Sequence, residues 1–238
     1  MKNIQLIGLT FMLLSCNASE KQVPKSVNYG LSVNYDLKGE VKFLSEKMFP
    51  AVYDENKNFI PDTAATFLFC IINRSFDKEG NIKSTSYFNK DSTFIGMSEY
   101  YESETIQFRK DGKKQDISKI ISVEDGILYV ESYNPSTKEL QQKAWTKYEN
   151  EKILWQKSIR FRDKDSLYLE YVYCRNSDDL DTLIKTKNEI SEDYYLTNIK
   201  YLSFDEKGNW TERIECSLDL DDTNNYRYIV KQRRIEYY

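Results

Sequence analysis

The segment that decides the fold is Phe204-Asp205-Glu206-Lys207-Gly208-Asn209-Trp210, running on into Thr211-Glu212-Arg213-Ile214-Glu215-Cys216-Ser217-Leu218-Asp219-Leu220. From Trp210 onward Ile214, Cys216, Leu218 and Leu220 fall at even positions. Thr211, Arg213, Glu215, Ser217 and Asp219 fill the odd ones, and only Glu212 breaks the alternation. A period of two marks a β-strand with one apolar and one polar face, so the even positions are expected to be buried and the odd ones wet. The residues before the strand read as a hairpin turn. Asp205 opens a type I turn, and Gly208 takes the left-handed position that closes it as a bulge.

The same turn is written a second time at Phe76-Asp77-Lys78-Glu79-Gly80-Asn81-Ile82. Looser versions stand at 53–59, 110–113, 133–136, 148–153 and 161–165, each containing an Asp or Asn. Between them lie further strand-like stretches: Val41-Lys42-Phe43, Ile127 to Tyr133, Ile153 to Phe161, Tyr194 to Phe204 and Tyr226 to Tyr237. Leu167, Leu169, Tyr171 and Tyr173 alternate with Tyr168, Glu170, Val172 and Cys174. Thr66 to Ile72 is largely apolar and reads as a strand covered on both sides. A weak helical candidate remains at Asp179 to Asn188. The expected fold class is all-β, an antiparallel meander of many hairpins with more than ten strands and little helix. It would form an extended twisted sheet, a sandwich or an open barrel.

The two strong turns resemble the YD-type repeats of RHS-like shells, in which an aromatic residue, Asp, two further residues, Gly, then Asn or Arg, precede an apolar residue. They also resemble the hairpin repeats of many uncharacterised envelope lipoproteins of Gram-negative bacteria. That likeness implies a structural or binding scaffold and carries no catalytic residues.

A second resemblance comes from residues 1–16, MKNIQLIGLTFMLLSC. Lys2 gives a positive start, and Ile4 to Leu14 form an apolar run well short of the roughly 20 residues that cross a bilayer. The ending Leu13-Leu14-Ser15-Cys16 resembles the lipobox of bacterial lipoproteins. The resemblance implies removal of residues 1–15, lipidation of Cys16 and acylation of the new amine. Asn17, in place of an aspartate, is similar to lipoproteins sorted to the outer membrane. Residues 16–35 read as the lipidated cysteine and a flexible tether, and 36–238 as one all-β domain. The expected location is the bacterial envelope, with the domain anchored to a membrane through lipid.

Composition narrows the function. Removing residues 1–15 takes away one charge, Lys2, and leaves 33 basic against 38 acidic side chains. An acidic balance argues against nucleic acid as a partner. With 19 tyrosines and 14% aromatic residues the chain has ample surface to bury, so disorder is excluded. There is no histidine, which excludes Ser–His–Asp triads, Cys–His pairs and histidine metal sites. No GxSxG elbow, GxGxxG loop or P-loop occurs. Three thiols remain after Cys16. Cys70 reads as a structural thiol, and Cys174 with Cys216 is the conceivable disulfide.

Two acidic segments, Asp219 to Asn225 and Ser177 to Asp181, begin like calcium loops but read better as solvated hairpin tips; the first has Val230 where a calcium loop places its final glutamate. Tyr100-Tyr101, Tyr168-Tyr171-Tyr173, Tyr194-Tyr195 and Tyr226-Tyr228 are aromatic groups suited to a sugar or protein surface, or simply to strand packing. The expectation is therefore a non-catalytic binding or scaffold module for a protein or glycan, with no cofactor, no metal site and no catalytic residues. Two alternatives stand beside it: an envelope glycoside hydrolase working through paired carboxylates, and a structural component of an envelope assembly.

Overall fold

The structure is a computed structural model. It describes residues 37–238 except 65–69, 150–151, 163–164, 179, 189–193 and 219–225. The lipobox with Cys16, the tether and the Asp219 to Asn225 segment lie outside the described residues.

Among the described residues fifteen strands follow one another: β1 (Val41–Tyr53), β2 (Phe59–Pro61), β3 (Cys70–Phe76), β4 (Ile82–Asn89), β5 (Phe94–Tyr100), β6 (Glu104–Arg109), β7 (Lys114–Glu124), β8 (Ile127–Tyr133), β9 (Leu140–Glu149), β10 (Lys152–Arg162), β11 (Asp165–Arg175), β12 (Asp181–Asn188), β13 (Tyr195–Phe204), β14 (Trp210–Leu218) and β15 (Tyr226–Tyr237). Among the described residues there is no helix. From β3 onward each strand pairs antiparallel with the next, as the meander requires. The sheet then closes, because β1 pairs with both β3 and β15. Fourteen strands thus form a barrel, and β2 adds to the far end of β1 at Ala51–Tyr53. Closure removes the sheet edges that an extended or open arrangement would have left unpaired.

The expected helix at Asp179 to Asn188 is overturned: residues 181–188 are strand β12. Leu183, Lys185 and Lys187 lie on one face against Ile184 and Thr186, and pairing with both neighbours overrides any local helical preference.

The turns behave as the sequence reads. At Asp77–Asn81 and Asp205–Asn209 the first residue's N–H donates to the fifth residue's carbonyl, and the glycine N–H donates to the Asp carbonyl. Gly80 has φ 83° and Gly208 φ 79°. The Asp carboxylate accepts the N–H of Asn81 or Asn209 at 2.8 Å, which locks the loop. The same five-residue closure recurs at Asp54–Asn58, Asn89–Thr93 and Arg109–Lys113, with Lys57, Ser92 and Gly112 in the left-handed position. A β-branched side chain at Gly208 would have to adopt that positive φ. Gly208→Val is expected to destabilise the protein by about 1–3 kcal/mol in urea unfolding. Gly80→Val, with open space around the new side chain, should match it, since backbone strain is the common cost.

Directly paired residues point to the same side of a sheet, so the register sorts the side chains onto two walls. One row runs Leu44, Arg74, Thr85, Ser98, Gln107, Asp116 from the start of β1 to the start of β7. It drifts from one end of the barrel to the other, the signature of tilted strands. Leu44, Arg74, Thr85 and Ser98 are all buried, so this wall faces the interior. Strand β13 shows the same alternation, with Thr197, Ile199 and Tyr201 inward and Leu196, Asn198, Lys200 and Leu202 outward.

At the end where β1 starts, the interior is apolar. Val41, Leu44, Phe76 and Ile82 form one cluster with Leu37, Tyr100, Ile235 and Tyr237; Leu128, Val130, Tyr148 and Ile153 form another with Ile120 and Tyr173. The second strong turn is tied down at this end. Asn209, fully buried, donates to the Lys38 carbonyl at 2.9 Å and to the Tyr237 hydroxyl at 2.7 Å, and Tyr237 donates to Asp205.

Strand β14 corrects the expectation set by its alternation. Its polar residues Arg213, Glu215 and Ser217 face inward, while Ile214 and Cys216 lie on the outer wall. Ile214 is still buried there, as are its outer-wall neighbours Val230 and Phe49. The alternation was right, and the sign was reversed by a polar interior.

Candidate functional site

The interior of β1, β3, β14 and β15 holds a cluster of buried charges. Glu46 comes from β1, Arg74 from β3, Arg213 and Glu215 from β14, and Lys231 and Arg233 from β15; Glu46, Arg74, Glu215 and Arg233 are buried, and the side chains of Arg213 and Lys231 are 12% and 17% exposed. Arg233 Nε donates to Glu46 Oε2 at 2.9 Å, with the side chains 0% and 4% exposed. Glu215 accepts from Arg213 and from Lys231, the latter at 2.8 Å. The Arg233 guanidinium lies 3.4 Å from the centre of the Trp210 ring and the Arg213 guanidinium 4.3 Å, a double cation–π contact in a site shielded from water. Tyr201 meets the same ring edge-on at 6.1 Å.

Burial opposes the ionisation of Glu46. The charges of Arg233, Arg74, Lys231 and Arg213 outweigh it and hold the carboxyl well below the usual carboxylate range. Glu215 is likewise held down: Lys231 and Arg213 overcome its burial. Burial lowers Arg233 to about 10, so it stays charged at neutral pH. Both carboxylates are therefore fixed anions, and neither suits proton donation near neutrality.

Towards the other end the interior turns polar, with Gln107, Asp116, Gln142 and Arg160 on paired positions of β6, β7, β9 and β10. Burial raises the Asp116 carboxyl, partly offset by Arg160 and Arg109.

The outer wall of β8 to β11 carries an aromatic platform. Tyr129 and Trp145, paired across β8 and β9, stack at 5.1 Å with their planes 12° apart. On β10 Lys157 lies opposite Trp145, and its ammonium is 5.2 Å from the ring centre of Trp155, which stands two residues away on the same face, opposite Lys147. Glu131 accepts hydrogen bonds from the phenols of both Tyr129 and Tyr133. Those two bonds hold the Glu131 carboxyl below its usual range; burial, then Glu131 itself, pushes the Tyr129 phenol up to about 12. Lys143 and Lys157 pair with Glu131 and Glu170 at 3.9 and 3.4 Å.

The tyrosine groups picked out by sequence are divided by the period of two. Tyr100 points inward, within hydrogen-bond distance of the Thr85 hydroxyl at 3.2 Å, whereas Tyr101 is exposed and donates to Glu99. Tyr171 and Tyr173 face inward and Tyr168 outward, where it donates to Glu170 at 2.8 Å. Tyr195 faces inward, while Tyr194 is exposed beneath Lys187. Tyr228 lies outward and stacks on Phe59 at 4.3 Å, beside Tyr53. The platform of Tyr129, Trp145 and Trp155 escaped sequence reading because its members come from three strands. The readable signal is the alternation of aromatic and lysine residues in Trp145-Thr146-Lys147 and Trp155-Gln156-Lys157.

The second calcium-like segment is structural where it is described. Asn176 Oδ1 accepts the N–H groups of Asp178 and Leu180, and buried Asp181 pairs with Arg175 at 3.0 Å. Among the described residues no group of three or more His, Cys, Asp or Glu side chains is placed to hold a metal ion. Cys70, Cys174 and Cys216 are free thiols. Cys174 and Cys216 sit on β11 and β14, about 14 Å apart at the usual spacing of three strands, beyond the roughly 7 Å that a disulfide spans. Cys70 faces the interior opposite Met48, and burial raises its thiol.

No family model matches the chain, and no curated protein matches it. A crystal structure of a porin-like protein from Bacteroides uniformis is similar over 84% of this chain and 98% of that one, at 8% identity and a TM-score of 0.41. A likeness that distant bears on neither activity nor partners.

Proposed function

We propose that this chain is a non-catalytic lipoprotein of the bacterial envelope. It is held to a membrane, in keeping with its lipobox and Asn17 the outer membrane, by lipid on Cys16. Its barrel stands in water as a binding module for a protein or glycan. The observation that supports this reading most directly is the charge on the outer wall. Lys119, Glu131, Lys143, Lys157 and Glu170 lie towards the middle of β7 to β11, and Lys47 in the middle of β1, all outward by register. A barrel embedded in lipid presents an apolar outer band about 25 Å tall, and a lysine at the bilayer midplane costs roughly 2–4 kcal/mol. A wall so charged belongs in water, and membrane attachment then has to come from another part of the chain. Among the described residues no helix is long and apolar enough to cross a membrane. Cys16 supplies the anchor.

Cys16→Ala is expected to move the protein from the membrane fraction to the soluble fraction, with its urea unfolding midpoint unchanged. Retention of the variant in membranes would overturn the lipid anchor.

The hydrolase alternative is disfavoured by the interior carboxylates. A glycosidase needs one carboxyl protonated near neutral pH beside another ionised. Glu46 and Glu215 are both pinned as anions by cations, and the raised carboxyl of Asp116 sits with arginines. A purely structural role in an envelope assembly would use the same anchored barrel without a ligand, and glycan binding in the test below would favour the binding module over it.

A further inference from the structure

We infer that the outer wall of β8 to β13 binds an acidic polysaccharide, with sugar rings on the Tyr129, Trp145 and Trp155 platform and acidic groups on the surrounding lysines. The inference deepens the binding-module reading and rests on it, but does not require the lipid anchor.

Charge is the first support. The chain as a whole carries a formal net charge of −4. On the outer wall of β8 to β13 the register nevertheless gathers seven lysines, Lys143, Lys147, Lys152, Lys157, Lys185, Lys187 and Lys200, against three glutamates, Glu131, Glu149 and Glu170. An acidic protein has thus concentrated positive charge on one wall, which favours a polyanion there and adds speed to its capture.

The kind of side chain is the second support. Half-buried rings held in place by stacking and by a lysine over one ring make a rigid surface with polar tips, suited to the apolar faces and hydroxyls of sugars. Glu131, clamped by two phenols, and Glu170, held by Tyr168, are fixed acceptors for hydroxyl groups. No arginine lies on this wall among the described residues, whereas arginine is the cation favoured at protein interfaces.

Shape is the third. A barrel wall is convex, so a flat bilayer would touch only one or two strands at a time. The lysines are spread from β9 to β13, about 19 Å across at the usual spacing of strands, before curvature. A flexible polymer can follow that curve and engage them together.

The test uses the full-length Cys16→Ala protein in solution. It compares polygalacturonate, neutral dextran, phosphatidylglycerol vesicles and a single-stranded oligonucleotide by affinity electrophoresis and calorimetry. Polygalacturonate should bind with an affinity that falls steeply with salt, and dextran should not bind. Trp145→Ala combined with Trp155→Ala should weaken binding by about tenfold or more. Lys185→Gln with Lys187→Gln, both changes on the surface of one strand, should weaken it several-fold and flatten the salt dependence. The lysine pair keeps the test decisive if the tryptophan variant unfolds.

Binding unaffected by the lysine pair, equal binding of dextran, or no binding of polygalacturonate would overturn the proposal. So would stronger binding of the vesicles or the oligonucleotide through the same lysines, which would assign the wall to lipid or nucleic acid. None of these outcomes bears on the lipid anchor, which membrane fractionation tests separately.

Discussion

Glu46→Ala is expected to lower stability by about 3–5 kcal/mol, enough to unfold a typical domain at physiological temperature or leave it marginal. Glu46 is the carboxylate on which Arg233 rests, and it is 3% exposed. Removing it leaves Arg233 buried beside Arg74, Arg213 and Lys231, with Glu215 as the remaining anion of the cluster. The loss is then chiefly the cost of an uncompensated buried cation, over and above the lost hydrogen bond. Glu46→Gln keeps an acceptor for the Arg233 Nε and should fall between wild type and the alanine variant. Urea unfolding at pH 7 measures both. A loss under about 1 kcal/mol for the alanine variant would mean that water reaches the cluster.

The same residue sets a dependence on pH. Its carboxyl is held below the usual range in the folded protein, whereas in the unfolded chain it titrates near 4.3, roughly the value of a free glutamate. A depressed folded value contributes stability that is complete above the unfolded value and drains away as pH falls below it. Wild-type stability should therefore decline as pH drops from about 5 towards 2. Glu46→Gln should show a shallower decline over that window.

Trp210→Ala should cost about 3–5 kcal/mol. The ring is 2% exposed, and its removal empties a space bounded by Arg213, Arg233 and Tyr201. Two guanidinium groups would lose the aromatic face that offsets part of their desolvation. Because Trp210 directly follows Asn209 in the clamped turn, its loss also loosens the junction between β13, β14 and the start of β1. Trp210→Phe, which keeps an aromatic face, should lose less than half as much. If the phenylalanine variant is as unstable as the alanine one, the indole shape rather than the cation contact governs the site.

These expectations fall on residues that sequence reading placed only in part. Arg213 and Glu215 were legible as one face of a strand, but that face was taken for the wet one. A strand's alternation separates two faces and says nothing about which is inside; here the lumen takes the charges because strands β1, β3, β14 and β15 supply each other's counterions. Arg213 and Arg233 are 20 positions apart, and Glu46 is 187 from Arg233, so no local pattern links them. The aromatic platform was hidden for the same reason. Tyr129, Trp145 and Trp155 become neighbours only when β8, β9 and β10 take their registers.

What the sequence determined by itself is local. The turn Asp-x-x-Gly-Asn at 77–81 and 205–209 dictates hairpins, since the aspartate satisfies the loop's N–H groups and the glycine adopts the positive φ without strain. Successive hairpins with short connections leave an antiparallel meander as the economical arrangement, and the period of two marks its strands. Closure was decided by tertiary structure. Nothing in β1 or β15 alone announces that Glu46 will meet Arg233, and the sheet closes because that pairing satisfies two rows of backbone groups and a buried charge at once. The choice of inner and outer wall belongs to the same level: it is fixed by which set of side chains can neutralise and cover one another across the closed sheet.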